Sequence, residues 1–238
     1  MRVLLVEDDV TAARGIALML QATGMVADTA DTGEEALELA RLYEYDMVLL
    51  DLMLPDMEGY EVVRRLRAGR NETPVLMLSG LQGAQARIKA FSLGADDFIT
   101  KPFDQSELLA RIQAIVRRAN GFSQATLNVG PLCLDLNTRE ARVHGRSVPL
   151  TGKEYAILEL LTLRKGAVLT KEAFLNHLYN GMDEPEVKII DVFICKLRKK
   201  LMQAGADNLI NTVWGRGYVL REPSWQAVSV ANGPFVAA

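Results

Sequence analysis

The sequence predicts an α/β fold, a doubly wound five-stranded parallel sheet, followed by a smaller α+β domain. Between residues 1 and 118, short apolar runs alternate with helix patterns five times, which is typical of a parallel sheet with helices on both faces. From residue 126 on, short strand-like pieces separated by Gly, Pro and Asn indicate a small antiparallel sheet instead. We therefore expect two domains of different architecture.

The charge distribution supports this division. Residues 1–120 carry 13 Lys and Arg against 19 Asp and Glu, whereas residues 121–238 carry 14 against 11. An acidic half joined to a mildly basic half indicates a polyanionic partner for the second domain. With only two Cys, we expect no disulfide framework and a reducing cytoplasm. The sequence has no apolar run long enough to span a bilayer, so we expect no membrane partner.

Each element of the first domain follows from a local pattern. Apolar runs predict five strands, at Val3–Val6, Met25–Thr29, Met47–Asp51, Pro74–Ser79 and Phe98–Thr100. Capping residues and apolar spacing predict helices ending near Thr23, from the capping box Thr32–Glu35 to Tyr43, near Tyr60–Ala68, over Ala84–Leu93, and from Asp104 to about Arg118.

The third strand ends in a carboxylate. The run Met47–Leu50 is apolar without alternation, which indicates a strand buried on both faces, and Pro55 cannot continue the ladder. We therefore expect Asp51 at the carboxyl end of a central strand, where open α/β sheets bind ligands. A carboxylate at such a position is costly unless it is paired.

Four more polar residues follow strands of the same sheet. Glu7 and Asp8 follow the first strand, Ser79 ends the fourth, and Lys101 follows the fifth, so all should lie beside Asp51. Three carboxylates repel one another, and oxygen ligands favour Mg²⁺. A hydroxyl and an ammonium beside that cation suit a phosphoryl group, with Asp51 as the nucleophile. Taken singly, Glu7 could serve a helix dipole, Ser79 a turn, and Lys101 the solvent.

Four motifs of the first domain resemble the receiver domain of a response regulator: Val6–Asp9, Leu50–Pro55, Leu78–Gly80 and Thr100–Phe103. The resemblance implies that Asp51 takes phosphate from a phosphohistidine on a histidine kinase or phosphotransfer protein. It implies Mg²⁺ held by Asp8, Asp51 and the Met53 carbonyl, with Glu7 acting through water. It also implies that Ser79 and Lys101 contact the phosphoryl group, that Phe98 is a switch aromatic, and that the Lys101–Pro102 bond is cis.

The second domain is predicted to span residues 126–222, after a receiver domain at 1–119 and a linker at 120–125. Strands are expected at Leu127–Val129, Leu132–Leu136, Ala141–Val143 and Ser147–Leu150. Helices are expected after the capping box Thr151–Glu154, over Lys171–Leu178 and over 187–203, followed by a glycine-rich hairpin at 212–220. Residues 223–238 are expected to form a flexible tail.

The helix over 187–203 has two faces. Ile190, Ile194, Leu197 and Leu201 form the packing face, and the opposite side with its flank carries Lys188, Val192, Cys195, Lys196 and Lys199. A basic face with small apolar groups could enter a major groove, although charge alone would favour a solvated face. The sheet, three helices and hairpin resemble the winged-helix domain of the OmpR/PhoB family. Cys195 and Trp214 stand where that family often has arginine, so Arg216 is the candidate for a minor-groove contact.

The family resemblance has further implications. It implies a homodimer on phosphorylation through Arg87, Asp97, Glu107 and Arg111, binding to direct-repeat half-sites in double-stranded DNA, and RNA polymerase as a partner. A closer similarity within the family, at 181–188 and 214–218, implies control of cell-cycle or flagellar and motility genes. The end Phe235–Ala238 is similar to tags read by the ClpXP protease.

Two other functions are compatible with a receiver domain. The second domain could be catalytic, but we find no candidate catalytic cluster there and expect a protein that is not an enzyme. The receiver could also act as a dimerisation module that needs no phosphorylation, which the full acidic site argues against. His144 and His177 lack metal-ligand spacing, and we expect both to be ordinary surface or sheet residues.

Overall fold

The structure, a computed structural model, describes residues 1–81, 83–179 and 185–222. The predicted tail at 223–238 and most of the loop before the helix at 187–203 lie outside the described residues. Among those residues, no helix has the length and apolar character that a membrane span requires.

The first domain is the expected five-stranded parallel sheet. Its strands are β1 (Arg2–Val6), β2 (Val26–Ala30), β3 (Met47–Asp51), β4 (Val75–Ser79) and β5 (Asp97–Thr100). They are arranged in the order β2-β1-β3-β4-β5, and every pair is parallel. Strand β3 is therefore central, and Asp51 lies at its carboxyl end, as predicted.

Helices cover both faces of this sheet: α1 (Val10–Ala22), α2 (Gly33–Leu42), α3 (Gly59–Ala68), α4 (Ala84–Ser92) and α5 (Gln105–Ala119). Alternate residues of β3 enter opposite cores, because successive side chains of a strand point to opposite faces. Val48 and Leu50 belong to one cluster of buried side chains, and Met47 and Leu49 belong to the other. Unbroken apolar runs thus mark strands that are covered twice.

The capping box predicted at the start of α2 is only half correct. The Thr32 side chain accepts from the Glu35 N–H at 3.2 Å, as a cap should. The Glu35 carboxylate, however, accepts from the Asp31 N–H at 3.0 Å rather than from that of Thr32. The N–H of Gly33 is taken by Asp56, a residue 23 positions away, which the local pattern could not indicate.

The second domain begins with a four-stranded antiparallel sheet of β6 (Thr126–Val129), β7 (Leu132–Asp135), β8 (Glu140–Val143) and β9 (Arg146–Val148). Helices α6 (Gly152–Leu163), α7 (Lys171–Leu178) and α8 (Ile189–Gln203) follow, and then a hairpin of β10 (Ile210–Val213) and β11 (Gly217–Leu220). The capping box of Thr151 and Glu154 is fully formed. The predicted packing face of α8 is buried as expected.

The two domains contact one another at the amino-terminal ends of β1 and β3. His177 of α7 lies there, buried, with its Nδ1 3.4 Å from the Asp46 carboxylate. Our expectation that His177 is an ordinary surface or sheet residue was therefore wrong. The physical reason is that residues from the other domain, far away in sequence, cover it. His144 lies exposed at the turn between β8 and β9.

Candidate functional site

The carboxyl ends of β1, β3, β4 and β5 bring the predicted polar residues to one edge of the first sheet. Parallel register sets the heights: Val6 is paired with Leu50, and Ser79 with Thr100. The residues that follow these strands therefore emerge at similar levels. Glu7, Asp51 and Ser79 are buried there, whereas Asp8 is exposed.

Lys101 joins two of the carboxylates. Its Nζ donates to the Glu7 carboxylate at 2.6 Å and to the Asp51 carboxylate at 2.7 Å. The second Asp51 oxygen accepts from the Met53 N–H at 3.3 Å. The peptide bond between Lys101 and Pro102 is cis, as the resemblance implied. The pairing that the buried Asp51 carboxylate requires is thus present.

Negative charge is in excess at this edge of the sheet, and it affects the pKa values of the groups there. Burial and the nearby Asp51 charge raise the pKa of Glu7, although the hydrogen bond from Lys101 opposes the shift. Burial disfavours the charge of Lys101, but its hydrogen bonds to Asp51 and Glu7 outweigh this effect and raise the pKa of the ammonium. With Asp8 included, three carboxylates face one ammonium.

This group has the chemistry of a divalent-cation site. One oxygen from each of Glu7, Asp8 and Asp51 can be chosen so that all three lie within 4.8 Å of one another. Oxygen-only donors suit Mg²⁺, and the exposed side of Asp8 leaves room for the waters that this ion keeps. The donor set therefore fits the ion that the sequence predicted.

Ser79 and Phe98 were also predicted to act at the Asp51 site, and each contacts another residue in the structure. The Ser79 hydroxyl oxygen accepts from the Leu81 N–H at 3.0 Å, so it is engaged with its own loop. Phe98 is buried, and the Arg87 guanidinium carbon lies 5.9 Å from the centre of its ring. Ser79 belongs to β4, and Phe98 belongs to the neighbouring strand β5.

The four residues predicted for a dimer lie on α4, β5 and α5. The Arg111 guanidinium bonds within its own chain to both Asp97 and Glu107, at 2.7 Å each. Arg87 and Glu107 line the same small hollow of about 150 Å³ as Arg111. Asp97 and Arg111, two of the residues predicted for the dimer, are thus paired inside one chain, and pairing across a dimer would require these side chains to exchange partners.

The residues predicted to contact DNA lie on α8, immediately before it, and in the turn of the hairpin. Lys188, Val192, Cys195, Lys196, Lys199 and Arg216 are all exposed. Trp214, at the hairpin turn, is 91% exposed. A helix with exposed lysines beside a protruding hairpin is the arrangement that winged-helix recognition needs.

Two cations of α8 have a different role, which the sequence analysis missed. Arg198 donates to the Ile210 carbonyl at 3.0 Å and to the Thr212 hydroxyl at 2.9 Å, so it fixes the hairpin to the helix. Lys200 donates to the Glu154 carboxylate at 2.7 Å and so fixes α8 to α6. Charge and helical spacing alone do not distinguish these two cations, which bind within their own domain, from the exposed lysines of the same helix.

Two family models match the chain, one in each domain. Residues 3–113 match the response regulator receiver domain, and residues 145–220 match the C-terminal domain of transcriptional regulatory proteins. The chain belongs to the response regulators of two-component systems, in the OmpR/PhoB group that joins a receiver to a DNA-binding domain. It is a phosphorylation-regulated transcription regulator and not an enzyme, and DNA and a histidine kinase are its partners.

Relatives in sequence and in structure resemble this chain over most of its length. The chain is 58% identical to the cell cycle response regulator CtrA of Brucella anthropi over 224 residues, which cover 94% of this chain and 97% of the relative. CtrA of Brucella ovis gives the same identity and coverage. Among solved structures, the response regulator DrrB of Thermotoga maritima, an OmpR/PhoB homologue, is 31% identical, with a TM-score of 0.45 and coverage of 92% of this chain and 98% of that one.

Proposed function

We propose that Asp51 accepts the phosphoryl group and that its phosphorylation increases dimerisation and DNA affinity. The observation that carries this proposal is the pair of bonds from Lys101 to Glu7 and Asp51, with Asp8 beside them. A carboxylate oxygen of Asp51 attacks the phosphorus of a phosphohistidine, the P–N bond breaks, and the imidazole leaves with the bonding electrons. The donor is a histidine kinase or a phosphotransfer protein.

Glu7, Asp8, Asp51 and the Met53 carbonyl are the groups that would hold Mg²⁺. The ion would neutralise the charge of the phosphoryl oxygens. Lys101 is placed to neutralise a further part of that charge, because its ammonium already contacts Asp51. Ser79 would turn from Leu81 toward the phosphoryl group, and Phe98 would serve as the switch aromatic that follows Ser79.

The dimer would use the surface of α4, β5 and α5. In a two-fold dimer every contact occurs twice, so pairs such as Arg87 with Glu107 and Asp97 with Arg111 would each form two times. A surface pair contributes only about 0–1 kcal/mol. The exposed apolar side chains of Ile88 and Phe91 on α4 would supply the remaining affinity.

The second domains would then occupy two direct-repeat half-sites, about 10–10.5 bp from centre to centre. Linking two domains raises their affinity for tandem sites through effective concentration. We propose RNA polymerase as a further partner, the cytoplasm as the location, and cell-cycle or flagellar and motility genes as the targets. We also propose a receiver domain at residues 1–119, a linker at 120–125 and a DNA-binding domain at 126–222.

The coupling between phosphorylation and DNA binding is tested with Arg111→Glu. The variant should keep phosphorylation at Asp51 but lose most of the gain in affinity for a tandem site, because a third carboxylate would face Asp97 and Glu107. Fluorescence anisotropy with labelled DNA, at one salt concentration, measures the effect. Arg64→Glu is the matched control, since Arg64 pairs with Glu61 on the exposed surface of α3. Equal affinities of the native chain with and without phosphate would contradict the proposal.

The lysines of α8 should make the DNA affinity depend on salt. Lys196→Ala or Lys199→Ala should lower the slope of log K against log salt concentration by about 0.9 for each lost phosphate contact. Lys200→Ala should leave the slope unchanged, because Glu154 already binds that ammonium. Titrations at four salt concentrations give the slopes, and equal slopes for all three variants would contradict the assignment.

The proposed ClpXP signal lies outside the described residues. Changing Ala237 and Ala238 to Asp should lengthen the lifetime of the protein in its own cells, because two small apolar side chains of the proposed signal would become charged. Pulse-chase labelling measures the half-life, and an equally short half-life would exclude this tail as the signal.

A further inference from the structure

Tyr218 joins the hairpin of the second domain to two of its helices. It is the second residue of β11, and it is buried. Its hydroxyl donates to the carboxylate of Asp191, in the first turn of α8. The ring of Phe174, on α7, packs edge-on against the Tyr218 ring, with 6.3 Å between the ring centres. A single side chain of the hairpin thus contacts both α7 and α8.

The Asp191 carboxylate binds a different partner with each of its oxygens. One oxygen accepts from the Tyr218 hydroxyl, and the other accepts from Nζ of Lys171, on α7, at 2.8 Å. The hydrogen bond from Lys171, together with that from Tyr218, lowers the pKa of Asp191. Burial and the hydrogen bond to Asp191 raise the pKa of Tyr218 to about 12. At neutral pH the acceptor is therefore ionised and the donor is protonated, so the bond is charge-assisted.

We propose that Tyr218 is a positioning residue for DNA recognition: through Asp191 it holds the hairpin in a fixed orientation on α8, so that Arg216 reaches the minor groove while α8 occupies the major groove. Tyr218 acts through Arg216 and does not itself touch DNA. The inference rests on the proposed function, because it takes Arg216 and α8 as the groups that contact DNA.

The orientation of the hairpin depends on its attachments, because two strands alone have little stability in water. The backbone of Tyr218 exchanges two hydrogen bonds with Leu169, which fix the start of β11. A rotation about this attachment would still change the direction in which the turn projects. The hydroxyl bond from Tyr218 to α8 opposes that rotation. The bonds from Arg198 to the Ile210 carbonyl and the Thr212 hydroxyl oppose it as well.

Orientation matters because the proposed complex requires contacts in two grooves at once. The lysines predicted for the major groove lie on α8, and Arg216 lies in the turn of the hairpin. Groups that are held in the right relative position before binding lose less conformational freedom on binding, which favours affinity. A hairpin free to rotate would be competent to reach the minor groove in only a fraction of the molecules, and the affinity would fall in proportion to that fraction.

The residue types at this contact favour positioning over simpler roles. Phenylalanine would fill the space of the Tyr218 ring, so packing alone does not require the hydroxyl. An acidic side chain in the first turn of α8 interacts favourably with the helix dipole, but the dipole does not require a partner from the hairpin. The Asp191 side chain is also 42% exposed on the helix whose lysines are predicted to bind DNA, where a negative charge weakens the attraction to a polyanion. The bond to Lys171 places a cation beside that charge and reduces the cost.

The test is a double-mutant cycle of Tyr218→Phe and Arg216→Ala in the full chain. The probe is a labelled duplex that contains one half-site, selected from random DNA by the native chain, and fluorescence anisotropy at one salt concentration gives the affinities. Alone, Tyr218→Phe should weaken binding about three- to tenfold, which corresponds to one hydrogen bond of moderate strength. In the Arg216→Ala background it should weaken binding by less than about twofold, because the group that it positions is absent.

Tyr155→Phe is the matched control. The Tyr155 hydroxyl donates to the Asp135 carbonyl at 3.0 Å, so this change removes one hydroxyl and one hydrogen bond from the same domain, between α6 and β7 rather than at the hairpin. The control should bind DNA with native affinity, with or without Arg216→Ala as its reference. Urea unfolding gives the stability of each variant, and a loss of affinity in Tyr218→Phe alone, at equal stability of the two variants, supports positioning.

Hydroxyl-radical cleavage of the DNA provides an independent readout, because the radical attacks sugars that line the minor groove. In the native complex the hairpin should protect the sugars beside the site of α8. At saturating protein, Tyr218→Phe should weaken this protection and leave the protection next to α8 unchanged. Asp191→Asn keeps an oxygen that can accept from the Tyr218 hydroxyl, so this variant should retain most of the protection.

Two results would overturn the inference alone: native affinity of Tyr218→Phe, or losses of equal size in the native and Arg216→Ala backgrounds. Equal losses would mean that the hydroxyl does not act through Arg216. Failure of the underlying contact would appear separately, as native affinity of Arg216→Ala, and would remove the group that Tyr218 is proposed to position. The outcome does not depend on the phosphorylation of Asp51, because the probe contains a single half-site.

Discussion

Phosphate incorporation is expected to vanish when Asp51 is replaced by asparagine, because an amide oxygen is a poor nucleophile. The variant keeps the size of the side chain but removes the charge that Lys101 contacts at 2.7 Å. The chain should still fold, since the lost ion pair leaves Lys101 bonded to Glu7 at 2.6 Å. Incubation with a small acyl phosphate, followed by intact-mass measurement, shows the result directly.

The control is Asp9→Asn, a change of the same chemistry at the same edge of the sheet. Asp9 caps α1 by accepting from the N–H groups of Thr11 and Ala12, and asparagine caps a helix equally well. This variant should therefore take phosphate at the native level. Removal of divalent cations from the native chain should reproduce the loss seen in Asp51→Asn. Native labelling of Asp51→Asn would assign the phosphate to another residue.

The parallel sheet could be predicted because each strand is a short apolar run, which is recognised from residues that are adjacent in sequence. All five residues of β3 and of β4 are buried, and each strand reads as an apolar run that ends in a polar residue. A strand of this composition is stable only when helices cover both faces. The meeting of Glu7, Asp51 and Lys101 then follows, because the carboxyl ends of parallel strands share an edge.

The contacts between domains could not be predicted in this way. His177 has ordinary neighbours in sequence, and its burial comes from Asp46, which lies in the other domain. The same limit applies to Asp56, which bonds to the N–H of Gly33 and so competes with local capping. Sequence patterns report on neighbours within a turn or two, and these partners are tens of residues or more away.

Two glycines of the second domain show most clearly that a sequence pattern does not report contacts with distant residues. The hairpin of the second domain contains Gly215 in its turn and Gly217 at the start of β11, and the sequence does not distinguish their roles. Both have positive φ angles, +70° and +135°. Of these two glycines, only Gly217 lies close to a distant segment of the chain. Beside it, Leu169 and Tyr218 exchange two backbone hydrogen bonds, at 2.8 and 2.9 Å.

Gly217→Ala is expected to destabilise the second domain by about 2–4 kcal/mol. A Cβ atom on Gly217 would lie 1.9 Å from the Leu169 carbonyl oxygen, which cannot move without breaking its bond to Tyr218. The hairpin strand β11 would separate from Leu169, and the turn that carries Arg216 would shift with it. DNA affinity should fall together with stability.

Gly215→Ala is the matched control, because nothing lies within 4 Å of its Cβ position and only the positive φ opposes the change. Its cost should be about 1 kcal/mol. Urea unfolding of the full chain, followed by tryptophan fluorescence, reports on this part of the molecule, since Trp214 lies in the hairpin turn. Equal losses of stability in the two variants would show that the close approach at Leu169 relaxes freely, because the backbone strain alone would then account for both effects.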